Sequence, residues 1–432
     1  MTIITAKTNQ IVISNITARE ILDSRGIPTL ECCLSLNNGV VVVTSISTAN
    51  ASKQTDLLEL RDEDPERMLG LGVHKAVNLI NTKVAPGLIG KSPLDQREVD
   101  QTLLNLDGSK NLSNLGANTT MVVSQAVLKA AALAYGWPPY YYIFKKYAFT
   151  DVLAIPTVLY GVIDGGKHGT DNLDFQEFQV IPANSLSFER SLELAVSIFK
   201  ALGTILHEKG AIRAVGPSGG YTPNLYKNTD AFDLLNEAAK SINLVIGRDA
   251  FFGADFDANS FFRNGKYKIK DRNESYSSKE WLDYLKDLNR LYGIYAFEDP
   301  FAESDLVSWK TFTNEFGQNA RVIADSLTRT NASLIDIAIK EKAANTLIVK
   351  TGQVATMTSL FDAVKTAKSD NWQVIISNRE GETNDDLLAD LAVGVGANFA
   401  KFGPPNRGER IAKYNRLLQI SDELRRMSQQ QK

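Results

Sequence analysis

The chain has 432 residues, 44% of them hydrophobic, and a formal net charge of −3. That composition suffices for the packed cores of a small unit and a larger one, and it carries no basic surplus of the kind nucleic-acid binding requires. The only cysteines, Cys32 and Cys33, are adjacent, a poor geometry for bridging each other, so a disulfide framework is absent and a cytoplasmic setting is expected. The N-terminus lacks a basic stretch leading into a long apolar run. No segment reaches the roughly 18 apolar residues of a membrane span, so neither secretion nor a membrane partner is expected. The Asn50-Ala51-Ser52 match to a glycosylation site then reads as chance.

In chain order, "TLECCLSL" and "GVVVVTSI" read as two strands joined by a hairpin turn at Asn37-Asn38-Gly39. "VHKAVNLINTKVAP" and "MVVSQAVLKAAALAYG" follow with helical periodicity, and the Gly136-Trp137-Pro138-Pro139 turn cluster closes an N-terminal α+β unit over residues 1–135. From about residue 145 to 432 the rhythm changes. "RVIADS", "NASLIDIAIKEKAA", "NTLIVK", "MTSLFDAVKTAKSD" and "WQVIISN" alternate short β-branched runs with amphipathic helices, a βα series that implies a parallel sheet and an α/β fold.

Charged residues recur at the ends of these runs. Asp255 follows "FFGA", Glu298 and Asp299 follow "IYAF", Asp325 follows "RVIA", Lys350 ends "NTLIVK", Arg379 follows "VIISN" and Lys401 follows "ANFA". In a closed parallel barrel the C-terminal ends of the strands converge on one mouth, where such barrels carry their chemistry. Acids would there face two lysines and an arginine. One such residue is readily a helix cap or a salt bridge; the recurrence in register is not.

Carboxylates without clustered histidine or cysteine are hard oxygen ligands suited to Mg²⁺ or Mn²⁺, and Mg²⁺ is the expected cofactor. A lysine becomes a usable base when a second cation lowers its pKa, and Lys350 with Lys401 is expected to form such a pair. Together these groups point to removal of a proton α to a carboxylate with a metal offsetting the developing charge.

Gly216-Pro217-Ser218-Gly219-Gly220 fits the G-x-S-x-G pattern of a hydrolase nucleophile elbow. Such hydrolases place the histidine after the serine, whereas His74, His168 and His207 all precede Ser218, so the elbow reading is set aside.

The order of "AREILDSRGIPTLE", "LDGSKNLSNLGAN", "DFQEFQVIP", "FEDPFAESD", "GETNDDLLADLAVG" and "RGERIAKYNRLLQI" resembles the enolase (phosphopyruvate hydratase) family over essentially the whole chain. The resemblance implies an N-terminal α+β cap and a C-terminal eight-stranded α/β barrel whose second strand runs antiparallel. It also implies conversion of 2-phosphoglycerate to phosphoenolpyruvate and water. By position, Asp255, Glu298 and Asp325 match the ligands of a first Mg²⁺, Lys350 the base, and Lys401 the lysine facing the substrate carboxylate. Arg379 matches a phosphate-binding arginine, while His168, Gln176 and Glu177 match pocket residues. A homodimer is also implied.

The chain departs from that pattern elsewhere. Ser218 stands where the family has its acidic Glu, Asn378 at its active-site histidine, and Glu380 at a phosphate-binding serine. Ala49, Ala51 and Lys53 alter the closing loop and a second Mg²⁺ ligand, while Ser326 and Gly352 alter two further positions. Ser197 and Gln419 remove the expected intersubunit partners of Arg19 and Glu31. Three readings stay open: a slow enolase in which water or Glu177 replaces the lost acid, an enzyme on a different carboxylate, and a non-catalytic binding or scaffold protein. Glu380 either repels a bound phosphate or neutralises Arg379.

Overall fold

The computed structural model describes residues 10–48 and 57–430. Strands β1 (Ile13–Leu22), β2 (Pro28–Leu36) and β3 (Val41–Ser45) form an antiparallel meander. Its second turn falls where the sequence places it: Gly39 takes φ +89°, and the Leu36 amide donates to Val40 O at 2.8 Å. A left-handed φ is open to glycine at little cost. Leu30, Cys32, Leu34 and Leu36 alternate inward along β2 and pack on the helix Ala117–Ala134.

The larger sheet begins with β4 (Thr157–Val158) and β5 (Tyr160–Asp164), one strand interrupted at Leu159, followed by β6 (Glu177–Pro182) and β7 (Ala250–Asp255). β8 (Ile294–Glu298), β9 (Arg321–Ala324), β10 (Thr346–Lys350), β11 (Gln373–Ser377) and β12 (Phe399–Lys401) complete it. Pairing runs in sequence order from β5 to β12, and β12 returns to β4, closing the barrel. β6 is antiparallel to both neighbours and the other pairs are parallel, as the family resemblance implies.

Two-residue alternation sorts each strand between two cores. Leu159, Ile181, Ala296, Ile323, Ile348, Ile375 and Phe399 fill the barrel interior as a cluster of their own. Val322, Ala324, Leu347, Val349, Val374 and Ile376 face outward into the layer shared with the surrounding helices. The interior plug closes the barrel below its mouth, so the charged strand ends line a floor and not a pore. Among the described residues, no helix is long and apolar enough to cross a membrane.

Candidate active site

Strand register gathers the charged residues. Asp164 pairs with Glu177, Glu177 with Asp255 and Asp255 with Glu298 across neighbouring strands. On the opposite wall Lys350 pairs with Ser377 and Ser377 with Lys401. Because β6 runs antiparallel, Glu177 reaches the mouth from the start of its strand, while the others reach it from the ends of theirs. The resulting cavity of about 150 Å³ is lined by His168, Gln176, Glu177, Ser218, Asp255, Asp325, Lys350, Asn378, Arg379, Glu380 and Lys401, among others.

Lys401 is the hub. Its Nζ lies 2.6 Å from Glu298, 3.0 Å from Glu177 and 3.1 Å from Asp255. Lys350 pairs with Asp325, whose other oxygen accepts from Gln353 Nε2 at 3.0 Å. Gln176 Nε2 donates to Asp255 at 3.2 Å. Burial raises Glu298 well above the usual carboxylate range, and neighbouring Asp255 adds to the effect. Its Oε1 is buried without a hydrogen-bond partner among the described residues. Asp299 is pushed up to about 8 by burial and by the charges of Asp325 and Asp255, and it accepts the amides of Asp325 and Ser326 at 3.0 and 2.9 Å.

The expected lowering of the lysine pKa values is not what this arrangement produces. Burial lowers both, but for Lys350 the attraction of Asp325 and Glu298 outweighs it, and for Lys401 that of Asp255, Glu177 and Glu298 does so. Each lysine therefore sits above its ordinary value. Carboxylates interleave with the two ammonium groups, and their attraction exceeds the cation–cation repulsion on which the sequence-based expectation rested.

His168 closes a 3₁₀ turn spanning Gly166–His168. Its Nε2 lies 2.6 Å from Glu380 Oε1, and its Nδ1 lies 3.0 Å from Ser218 Oγ and 3.5 Å from Glu177 Oε1. Burial disfavours the imidazolium, but hydrogen bonds to Glu177 and Glu380 outweigh burial and raise His168 to about 10. Asp164, His168 and Glu177 bring ligand-type atoms within 4.8 Å of one another. The histidine nitrogens are engaged by Glu380, Ser218 and Glu177, so this grouping is a charged hydrogen-bond network.

Glu380 faces the cavity, and it does not neutralise Arg379. Its Oε2 pairs with Arg25 at 3.0 Å, which brings a positive charge from the segment between β1 and β2 to the barrel mouth. Among the described residues no ion pair engages the Arg379 guanidinium; Glu382 accepts the Arg379 backbone amide at 3.0 Å and pairs through its other oxygen with Lys413. Asn378 Nδ2 donates to Phe402 O at 3.2 Å, which fixes it beside the end of β12. Ser218 lies in a loop after the helix Phe188–Glu208 and not on a sharp strand-to-helix turn, so the elbow is absent although the serine and a histidine do meet. Ala49, Ala51 and Lys53 lie outside the described residues.

The match to known proteins follows this geometry. The family model described as enolase, N-terminal domain, matches residues 13–143, and the enolase C-terminal TIM barrel domain matches residues 151–431. The chain belongs to the enolase family. Enolase from Ehrlichia ruminantium (strain Welgevonden) is 39% identical over 408 residues, covering 94% of this chain and 96% of that protein. Enolase from Ehrlichia canis (strain Jake) is 38% identical over 416 residues, covering 96% and 97%.

Several site residues of this enolase-family chain escaped the reading of the sequence. Asp164 is one; its signal was available, because the hairpin-like pairing of β5 with β6 sets it opposite Glu177. Gln353 lies three positions beyond Lys350, also within reach of inspection. Arg25 had no sequence signal at all, since its approach to Glu380 depends on how the N-terminal sheet sits over the barrel.

Proposed function

We propose that this enolase-family chain is a magnesium-dependent lyase that abstracts a proton α to a carboxylate and eliminates water from 2-phosphoglycerate to give phosphoenolpyruvate. The observation that carries this reading is the interleaving of Asp255, Glu298 and Asp325 with Lys350 and Lys401 on one barrel floor. The donor set fits a hard dication: the oxygens are all carboxylate, Glu298 Oε1 has no hydrogen-bond partner among the described residues, and the buried acids outnumber the lysines. Asp255, Glu298 and Asp325 would hold Mg²⁺, which would supply Lewis-acid stabilisation of the negative charge that develops on the substrate carboxylate.

Lys350 acts as the base, Lys401 faces the substrate carboxylate, and Arg379, free of any described carboxylate partner, takes the phosphate. Glu380 threatens that phosphate less than its charge suggests, because Arg25 and His168 flank it. The loop at Ser218 carries no carboxylic acid. General acid assistance is worth roughly 10²- to 10⁴-fold, so elimination runs slowly next to proton abstraction. In this reading residues 1–135 cap the barrel of residues 145–432, and the protein works in the cytoplasm at the enolase step of glycolysis. The homodimer implied by the family is weakened: Arg19 and Glu31, which would reach across it, pair with each other at 2.5 Å across β1 and β2.

The test uses purified protein, Mg²⁺ and 2-phosphoglycerate in D₂O, with α-proton exchange and phosphoenolpyruvate followed together. Exchange that Lys350→Ala abolishes, accompanied by slower elimination, is the expected result. Exchange with an unphosphorylated 3-hydroxy acid but not with 2-phosphoglycerate selects the reading of a different carboxylate substrate. Absence of exchange, elimination and Mg²⁺ binding selects the non-catalytic reading.

A further inference from the structure

The elimination proposed above needs a proton for the departing hydroxyl, and position 218 offers only a serine. We propose that His168 is the source of that proton, passing it through the Ser218 hydroxyl, and that Glu380 is the positioning residue that keeps the imidazolium in place. This inference rests on the lyase reading and names the proton source within it.

The geometry is that of a proton wire built on rigid supports. Ser218 is 6% exposed, and its loop is pinned on both sides. The Gly216 amide donates to Gly220 O at 2.8 Å, Asn406 Nδ2 donates to Gly219 O at 2.8 Å, and Arg410 donates to Pro217 O at 3.3 Å. From that loop the Ser218 Oγ faces His168 Nδ1 at 3.0 Å, and on its far side the imidazole is gripped by Glu380 at 2.6 Å. Both residues line the cavity above the Lys350 and Lys401 floor.

The other acids of the cavity are poor donors. Glu177 is held well below the ordinary carboxylate range: burial opposes ionisation, but Lys401 and His168 outweigh it. Glu380 is engaged at one oxygen by Arg25 and at the other by His168. Burial pushes Asp164 up to about 8, yet it lies behind the loop, 1% exposed, with Oδ2 accepting the Gly220 amide at 3.2 Å. A serine hydroxyl is too weak an acid to act alone, but it relays a proton while keeping its own count unchanged. His168, facing Glu177, Glu380 and Ser218 with Asp164 nearby, carries a proton at neutral pH.

The proton count closes. Lys350, in the fraction that has given its proton to solvent, takes the α-proton, and the C–H electron pair passes into the substrate carboxylate. That pair returns to form the carbon–carbon double bond as the C–O bond breaks. The leaving oxygen takes the Ser218 proton and departs as water, while Ser218 takes the Nδ1 proton of His168. His168 regains a proton from solvent, and Lys350 gives one up. A donor near pKa 10 is less well matched to neutral pH than a carboxylic acid poised near it, which is consistent with a slow elimination half.

The experiment is carried out on the full chain with Mg²⁺ and 2-phosphoglycerate in D₂O. At saturating 2-phosphoglycerate, His168→Gln is expected to lower phosphoenolpyruvate formation at least 100-fold more than it lowers α-proton exchange, and Ser218→Ala to lower elimination selectively in the same way. In the unaltered chain, the ratio of elimination to α-proton exchange, in which the ionisation of Lys350 cancels, has a basic limb set by His168, and Glu380→Gln moves that limb to lower pH by weakening the hold on the imidazolium. Parallel loss of exchange and elimination in a folded His168→Gln, or a basic limb unmoved by Glu380→Gln, overturns the assignment. If His168→Gln does not fold, the limb and its response to Glu380→Gln decide alone. Absence of exchange in the unaltered chain is a different failure, that of the lyase reading itself, and it takes this inference with it.

Discussion

Lys401 Nζ stands 2.6 Å from a carboxylate oxygen of Glu298, at the level of the barrel where β12 and β8 end on opposite sides of the floor. Glu298 is 1% exposed, and Lys401 also reaches Glu177 and Asp255. Removing one member of a buried ion pair leaves its partners charged or forces them to take up protons, at a cost of about 3–5 kcal/mol. Lys401→Met is therefore expected to lower stability by that amount in urea unfolding without Mg²⁺. Saturating Mg²⁺ is expected to restore much of it, since a ligand that binds only the folded state stabilises it by mass action. An equal loss with and without Mg²⁺ would count against a cation site at this floor.

Asp325 and Lys350 form the second pair of the floor, and Asp325 is lowered because Lys350 outweighs the effect of burial. Asp325→Asn removes one of the proposed metal ligands. The rise in melting temperature produced by Mg²⁺ in the unaltered chain is expected to shrink or vanish in the variant, and a calorimetric titration is expected to show affinity reduced at least tenfold. An unchanged Mg²⁺ response would place the cation elsewhere.

Asp164 provides a pH test that needs no substrate. Burial raises it to about 8, against about 3.8 in an unfolded chain. The unfolded state gives up this proton over a lower pH range than the folded state, so the contribution to stability is fully present at acid pH and is lost as pH rises from about 4 to about 8. Asp164→Asn keeps an oxygen to accept the Gly220 amide and removes the titration. The variant is expected to be about 1–3 kcal/mol more stable than the unaltered chain at pH 8, on the scale of relieving a buried unsatisfied polar group, with the difference narrowing towards pH 4. A constant difference between pH 4 and pH 8 would show that Asp164 does not titrate in that window.

Arg25 contributes through Glu380. With Arg25→Ala the Glu380 carboxylate loses one of its cationic partners, and its repulsion of a substrate phosphate rises. At an effective dielectric of about 20, interactions between charges a few ångströms apart are of the order of a few kcal/mol. KM for 2-phosphoglycerate is expected to rise tenfold or more with a smaller change in kcat, and Glu380→Gln in the same background is expected to reverse most of the rise. No recovery in the double variant would mean that Arg25 acts on the substrate by another route.

Much of the barrel was legible along the chain because strand identity and facing are local properties. In β9 and β10 a two-residue alternation of apolar side chains serves the inner plug and the outer layer in turn, and turn chemistry ends each run just where a charged residue stands. Asp255, Glu298, Asp325, Lys350 and Lys401 are therefore nameable from the sequence. The protonation of the two lysines was not, since it turned on which carboxylate stood nearest each ammonium group. Near cancellation between burial and ion pairing decided the outcome.

The amino-acid sequence by itself determined the order of strands and helices, the residues at the strand ends, the membership of a family and the substitutions at Ser218, Asn378 and Glu380. Only the tertiary structure decided what those substitutions touch. Arg25 and Glu380 are 355 residues apart and His168 and Ser218 are 50 apart, yet they form one hydrogen-bonded chain from Arg25 through Glu380 and His168 to Ser218. Local periodicity has no means of encoding such meetings. They follow from closure of the barrel and from the placement of the N-terminal sheet over its mouth, and a shift of a few ångströms would convert an ion pair into repulsion or leave a buried charge alone.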